Sequence, residues 1–312
     1  MPKRVCSWNL RAENETSMET RPVAGLRAAL PYLKHFRDQL FVVKCGGETL
    51  QDRDALESLV EQIALLHQVG IKVILVHGGG DQATKLGEAL GVESQFVEGR
   101  RVTSPEFVDV MVMALNGQSQ GEILSVARKL GVGAVGISGI TAGLVRAVKR
   151  PVVKTKSGAT QDYGQVGDIV SVDPTVLKVL LEGGLLPIVS PISADDVGTL
   201  LNINADQVAS ALAVSLGAAK LIVVTTPRGI MADLSDAQSL ISQLSLDELA
   251  ELENSGKVQG GMWPKASAIR SALEGGVASA HVISYRFPDA LLTEIFTNEG
   301  CGTMICLGGQ PE

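Results

Sequence analysis

Hydrophobic positions along the chain follow two alternating patterns. From Leu40 onward, short runs of β-branched and aliphatic residues, LFVVK and KVILVH, alternate with longer stretches whose apolar residues recur every three or four positions, LESLVEQIALLHQ and DQATKLGEAL. The first pattern predicts strands and the second amphipathic helices. The alternation continues with GAVGI, DIVSV, LLPIVS, KLIVVTT and HVIS as strands, and with NADQVASALAVSLG and PKASAIRSALEGG as helices. Strands that are apolar at nearly every position need cover on both faces. The expectation is therefore an α/β protein, three-layer α/β/α with a mostly parallel central sheet. Upstream, residues 1 to about 20 are polar and aperiodic, whereas Val23 to Phe36 has helical spacing interrupted by Pro31, which predicts a kinked or broken helix.

Composition narrows the function classes. With 312 residues, 45% of them hydrophobic, the chain can bury a large core. Its net charge of −7, with no basic arm or cluster, argues against nucleic acid or an anionic membrane as partner. No apolar run approaches the roughly 20 residues a membrane helix needs, and the start lacks a signal-peptide core, so the expected location is the cytoplasm. Cys6, Cys45, Cys301 and Cys306 show neither CxxC nor zinc spacing and are expected to be reduced.

Candidate chemistry gathers where apolar runs end in glycines. LFVVK is followed by Cys45-Gly46-Gly47, and KVILVH by Gly78-Gly79-Gly80. Glycines make tight turns, but at strand carboxyl ends they also expose backbone N–H groups to the crevice where α/β proteins bind ligands. Two such loops could hold a phosphoryl group between them. Lys44 ends an apolar run, a costly place for a charge without an anionic partner. Asp206 stands in Asn202-Ile203-Asn204-Ala205-Asp206 at a helix start, where Asn204 or Asp206 could cap the helix. Lys265 follows a glycine pair at another helix start, where its charge opposes the dipole. Other signals carry nothing. The GxGxxG match at Gly131–Gly136 follows a helix and precedes a strand, the reverse of a dinucleotide site; no GxxxxGK[ST] loop or GxSxG elbow exists, and the four histidines lack metal spacing.

Taken together, LFVVKCGGETL, VILVHGGGDQ, EGRRVTSPE, AVGISG, YGQVGDIVSVD, LPIVSPIS, LLNINADQVASALA, QGGMWPKASAIRSAL and EIFTNEGCGTMI resemble the acetylglutamate kinases of the amino acid kinase family, over about Leu33 to Leu307. The resemblance implies the amino acid kinase fold and phosphorylation of the side-chain carboxylate of N-acetyl-L-glutamate by ATP, with Mg²⁺ carried by the nucleotide and no metal site on the protein. It implies catalytic roles for Lys44, Lys265 and Asp206, the lysines on the phosphoryl group in flight and the carboxylate holding them. Gly46, Gly47 and Gly79 would surround the phosphate, and Gly79, Gly80, Arg101 and Asn202 the substrate. It divides the chain into an extension (1–38), a substrate lobe (39–216) and a nucleotide lobe (217–312). The helix before the first strand and Glu299–Thr303 are similar to those of the arginine-inhibited form, which implies arginine as feedback inhibitor and a homo-oligomer, a hexamer in that form. Three places depart from the family pattern. Gln120-Gly121 replaces an Asn-Lys pair, Thr141-Ala142 an Asp-Gly pair, and Thr225-Thr226-Pro227 a Thr-Asp-Val. Two alternatives stay open: a kinase of N-acetyl-aminoadipate or a related acid, and a non-catalytic arginine sensor of the same fold.

Overall fold

The computed structural model describes residues 21–155, 158–233, 236, 239–256 and 261–308. Cys6 and the polar start lie outside the described residues.

Eight strands form the central sheet, in the order Gln243–Ser245, Thr303–Cys306, Ser279–Ser284, Lys220–Thr225, Leu40–Cys45, Lys72–His77, Leu186–Ser190, Ala134–Ser138. Among the described residues, only the Ser279–Ser284 and Thr303–Cys306 pair of this sheet is antiparallel. The expected mostly parallel sheet is present. Its middle is the strand Leu40–Cys45, paired with Lys72–His77 on one side and Lys220–Thr225 on the other. Four strands come from residues before Gly217 and four from residues after it, so the sheet is continuous across that point.

The two faces follow from the period of two along each strand. Val42, with Ile74 and Val76, packs on the helices Ala205–Leu216 and Met262–Glu274. Phe41, Val43 and Cys45 pack on the opposite side, against the helices Arg53–Gln68, Gln120–Lys129 and Ala290–Phe296. Lys44 shares its face with Val42 and is therefore aimed toward the helix that begins at Ala205.

Two expectations need correction. DIVSV is not in the central sheet: Gly167–Val172 belongs to a four-stranded sheet, antiparallel to Val145–Lys149, with Ile192–Ala194 and Leu200–Asn202 beyond. Its Val170 is 50% exposed, so an apolar run here marks a surface sheet and not a doubly covered strand. Pro31 does not break its helix, which runs unbroken from Arg21 to Phe36. Pro31 and Arg27, four residues earlier, are both exposed, so water can solvate the carbonyl that loses its partner.

A further element matters for the site. After the helix Pro105–Val112 the chain widens into a π-helical segment, Met113–Ser119, before resuming as Gln120–Lys129. Such widenings are frequent at functional sites, and this one sets Leu115 and Ser119 against Gly79.

Candidate active site

The two glycine loops lie side by side because the strands that carry them are neighbours. Lys44 is in register with Val76 and Cys45 with His77, and the pairing carries on past the strand ends through Gly78 N–H to Cys45 O, 2.9 Å. Space there is limited. A Cβ on Gly47 would stand 3.5 Å from Gly79 Cα, and one on Gly79 only 2.4 Å from Leu115 Cδ2. Gly79 also has φ 152°, a region closed to L side chains, and it caps the helix Gly80–Leu90, whose free N–H groups face the loops. His77 is fully buried and hydrogen-bonded through Nδ1 to Gly78 O, 2.9 Å; burial pushes its pKa down to about 4, so the ring is neutral and donates to that carbonyl.

Beneath the loops sits the charged group. Lys44 is buried, with its Nζ 2.8 Å from Asp206 Oδ1. The two atoms are in ion-pair contact, but the angle is not that of a hydrogen bond, since Asp206 Oδ1 has no hydrogen-bond partner. The question of which residue caps the helix is resolved by geometry: Asn204 Oδ1 accepts from Asp206 N–H and Gln207 N–H at 2.8 and 3.2 Å. Asn204 thus satisfies the helix end and leaves the Asp206 carboxylate for Lys44. Lys265, on the first turn of Met262–Glu274, donates to Gly261 O at 3.1 Å. Burial lowers its pKa below the ordinary lysine value; the charge of Asp206 opposes the shift, that of Lys44 adds to it, and that of Glu48 opposes it. Lys44, Asp206 and Lys265, distant in sequence, form one electrostatic cluster at the strand carboxyl ends.

A titration follows. A lysine with a lowered pKa is charged below that value and neutral above it. If the Lys265 charge is used in turnover, kcat falls with rising pH earlier than for an ordinary lysine. Lys265→Arg is expected to move that alkaline limb upward, read from kcat between pH 7 and 10.5.

Next to the loops is a cavity of about 420 Å³. Gly79, Gly80, Arg101 and Asn202 all line it, so the four residues expected on the substrate are brought together. Arg101 is held firmly. Its Nη2 donates to Gly80 O (2.9 Å) and Thr84 Oγ1 (2.8 Å), its Nη1 to Ser94 Oγ, and its plane lies over the rings of Phe96 and Phe107 at 4.5 and 4.8 Å. Asn202 is placed by backbone bonds: Thr103 N–H to Tyr163 O, Gln165 N–H to Thr103 O, and Asn202 N–H to Gln165 O. Gly164, with φ 71°, permits the closest approach, since a Cβ there would be 2.2 Å from Thr103 O.

Sequence reasoning missed other residues of the cavity wall. Arg100 and Arg150 both line it, and Arg150 is fixed by Asp168 through Nε and Nη2 at 3.0 and 2.6 Å. Tyr163 and Trp263 line it too, and the Arg100 guanidinium lies 5.9 Å from the Trp263 ring. The EGRRVTSPE, YGQVGD and GGMWPK segments contain Arg100, Tyr163 and Trp263, and Arg150 ends the run VRAVKR, but nothing in their spacing says that they meet.

Of the departures from the family pattern, two act through their side chains and a third through its backbone. Gln120 is buried and donates from Nε2 to Ile137 O and Ile188 O, 2.7 and 3.0 Å, tying the edge strand Ala134–Ser138 to its neighbour Leu186–Ser190. Thr141 Oγ1 accepts from Ser138 N–H at 3.0 Å, closing the turn after Ala134–Ser138. Thr226 O accepts from Ser284 Oγ at 2.7 Å, beside the end of Lys220–Thr225.

Glycine loops at parallel strand ends, next to a buried and a half-buried lysine and a small cavity lined by arginines, define a small-molecule phosphotransferase that lacks a P-loop. Comparison with known proteins agrees. Residues 39–284 match the amino acid kinase family. Acetylglutamate kinase of Myxococcus xanthus is 45% identical over 91% of this chain and 94% of its own, and that of Methanocaldococcus jannaschii 42% identical over 90% and 94%. The chain belongs to the amino acid kinase family and groups within it with proteins named acetylglutamate kinase. Among solved structures, N-acetylglutamate synthase of Neisseria gonorrhoeae, complexed with coenzyme A and N-acetyl-glutamate, superposes with a TM-score of 0.79 at 27% identity. The match covers 92% of this chain and 64% of the synthase, so the chain spans just under two thirds of that protein. The same synthase has also been solved with coenzyme A and L-arginine.

Proposed function

We propose that the protein transfers the γ-phosphoryl group of ATP to the side-chain carboxylate of N-acetyl-L-glutamate, giving an acyl phosphate for arginine biosynthesis in the cytoplasm. The observation that carries this reading is the cluster of Lys44, Asp206 and Lys265 beneath two adjoining glycine loops. The attacking carboxylate is ionised at neutral pH, so no general base is needed. One bond forms between a carboxylate oxygen and the γ-phosphorus, and the bond from that phosphorus to the ADP oxygen breaks. What the protein supplies is alignment and neutralising charge. Lys44 and Lys265 sit on the phosphoryl oxygens, Asp206 holds the lysines in place, and the amides of Gly46, Gly47, Gly79 and Gly80 surround the group.

Arg101 and Asn202 would take the α-carboxylate and acetamido ends of the substrate in the 420 Å³ cavity. The same reading makes residues 39–216 the substrate lobe and 217–312 the nucleotide lobe, with the two halves of the sheet meeting where Leu40–Cys45 pairs with Lys220–Thr225. Mg²⁺ would neutralise part of the nucleotide's charge. The ion would be carried on the phosphates of ATP. Turnover of ATP with N-acetyl-L-glutamate, run in parallel with N-acetyl-aminoadipate, tests the substrate. Activity only with the longer acid would reassign it, since a single methylene changes a pocket by a modest factor.

The reading extends to regulation. A second cavity, about 760 Å³, lies between the helix Arg21–Phe36 and the segment Thr297–Gly300. Its wall carries Lys220, His281 and Glu294, with Lys220 Nζ 2.9 Å from His281 Nε2 and His281 Nδ1 2.8 Å from Glu294 Oε1. Tyr32 donates to Asn298, linking the helix to that segment. Carboxylate and ammonium groups at one site suit a zwitterionic amino acid with a cationic side chain, and arginine is the proposed ligand, acting on a homo-oligomer with a hexamer favoured. Arginine is expected to lower activity in a sigmoidal titration; a flat titration, or a dimer in light scattering, would remove this part of the reading.

A further inference from the structure

We infer that Gln82 is a positioning residue that sets the spacing of the two glycine loops, and with it the convergence of their amides on the phosphoryl group. The inference rests on the phosphoryl-transfer reading above. Gln82 lies in the first turn of Gly80–Leu90 and is 8% exposed. Its Nε2 donates to Gly47 O at 2.9 Å, across 35 residues of sequence. Its Oε1 stands 2.9 Å from the place of a Gly47 Cβ and 3.6 Å from that of a Gly79 Cβ. The carboxamide therefore lies between the loops, bonded to the first and beside the second. The donor cannot be exchanged with the acceptor by flipping the amide, because Gly47 O would then face an oxygen.

Filling that gap does not require a carboxamide. Gln82 Oε1 is buried and accepts no hydrogen bond, an unfavourable arrangement that an apolar side chain of the same length would avoid. What the apolar chain could not do is hold the Gly47–Glu48 peptide at a fixed angle to the second loop. A second strap runs parallel: Gln51 Nε2, at the end of the short helix Gly47–Gln51, donates to Asp81 Oδ2 at 3.0 Å. That strap is exposed and can exchange with water, so the buried one governs the separation. Backbone donors aimed at a transferring group lose their effect when displaced by a fraction of an ångström.

The test uses the full chain and two nearly isosteric variants, Gln82→Met and Gln82→Glu. Gln82→Met is expected to lower kcat by about ten- to a hundredfold, with the KM values for ATP and N-acetyl-L-glutamate within threefold of wild type and the Tm equal or higher. In Gln82→Glu the ionised side chain faces Gly47 O without a proton. The ratio of its kcat to wild type should rise as pH falls and protonation restores a donor. Gln82→Met with normal kcat, or a kcat loss matched by a fall in folded fraction, would overturn the inference. Should Gln82→Met fail to fold, a pH-independent ratio for Gln82→Glu would overturn it. A wild-type protein without turnover points instead at the phosphoryl-transfer reading, so the two failures are distinguishable.

Discussion

Replacing Lys44 with alanine is expected to lower kcat by about two to three orders of magnitude, the range found when one preorganised charge or donor is withdrawn from a transition state. The variant should also lose stability. Both members of the Lys44–Asp206 pair are more than nine-tenths buried, and removing one leaves a buried carboxylate uncompensated, at about 3 kcal/mol. The two effects separate in the double variant Lys44→Ala/Asp206→Ala. With both charges gone, most of the lost Tm should return while kcat stays at the single-variant level. Recovery of turnover in the double variant would show that Lys44 acts only by neutralising Asp206. Near-normal turnover in the single variant would remove it from the chemistry altogether.

Gly79→Ala should be nearly as damaging, for a different reason. The methyl group would be placed 2.4 Å from Leu115 Cδ2, and the backbone at φ 152° is closed to alanine whatever the neighbouring space. The loop must therefore move away from Gly47, and kcat is expected to fall by about a hundredfold or more. Adding Leu115→Ala removes the clash but not the backbone strain, so it should restore little activity. Substantial rescue by Leu115→Ala would mean that side-chain packing, and not the conformation of Gly79, shapes the loop.

What the sequence disclosed about this molecule depended on range. Six of the eight central strands were legible as apolar runs, whereas Gln243–Ser245 and Thr303–Cys306, short and partly exposed, were not read as strands; the glycine loops were legible because glycine clusters at strand ends are local signals. Lys44 drew notice through its position in such a run. Its partner could not be found that way: Asp206 lies on another element, and only the fold brings the two within 2.8 Å. Asp206 and Lys265 drew notice as charges at helix starts; resemblance to a family gave them roles and supplied the roles of Arg101 and Asn202, and the structure puts the first two in the cluster with Lys44 and the last two in one cavity wall. The four-stranded sheet was misread because its strands are short or half-exposed, so apolar content there does not report burial. Gln82 and Arg100 escaped notice because a polar residue in a helical or hairpin segment reads as solvated surface until its neighbours are known.

The most direct test of phosphoryl transfer to a carboxylate is to trap the product. The purified protein, given ATP, Mg²⁺ and N-acetyl-L-glutamate in the presence of hydroxylamine, should form the hydroxamate of the side-chain carboxyl in proportion to ADP, and Lys44→Ala should form it at least a hundredfold more slowly. ADP release without hydroxamate, or no turnover from a folded protein that still binds arginine, would contradict the account.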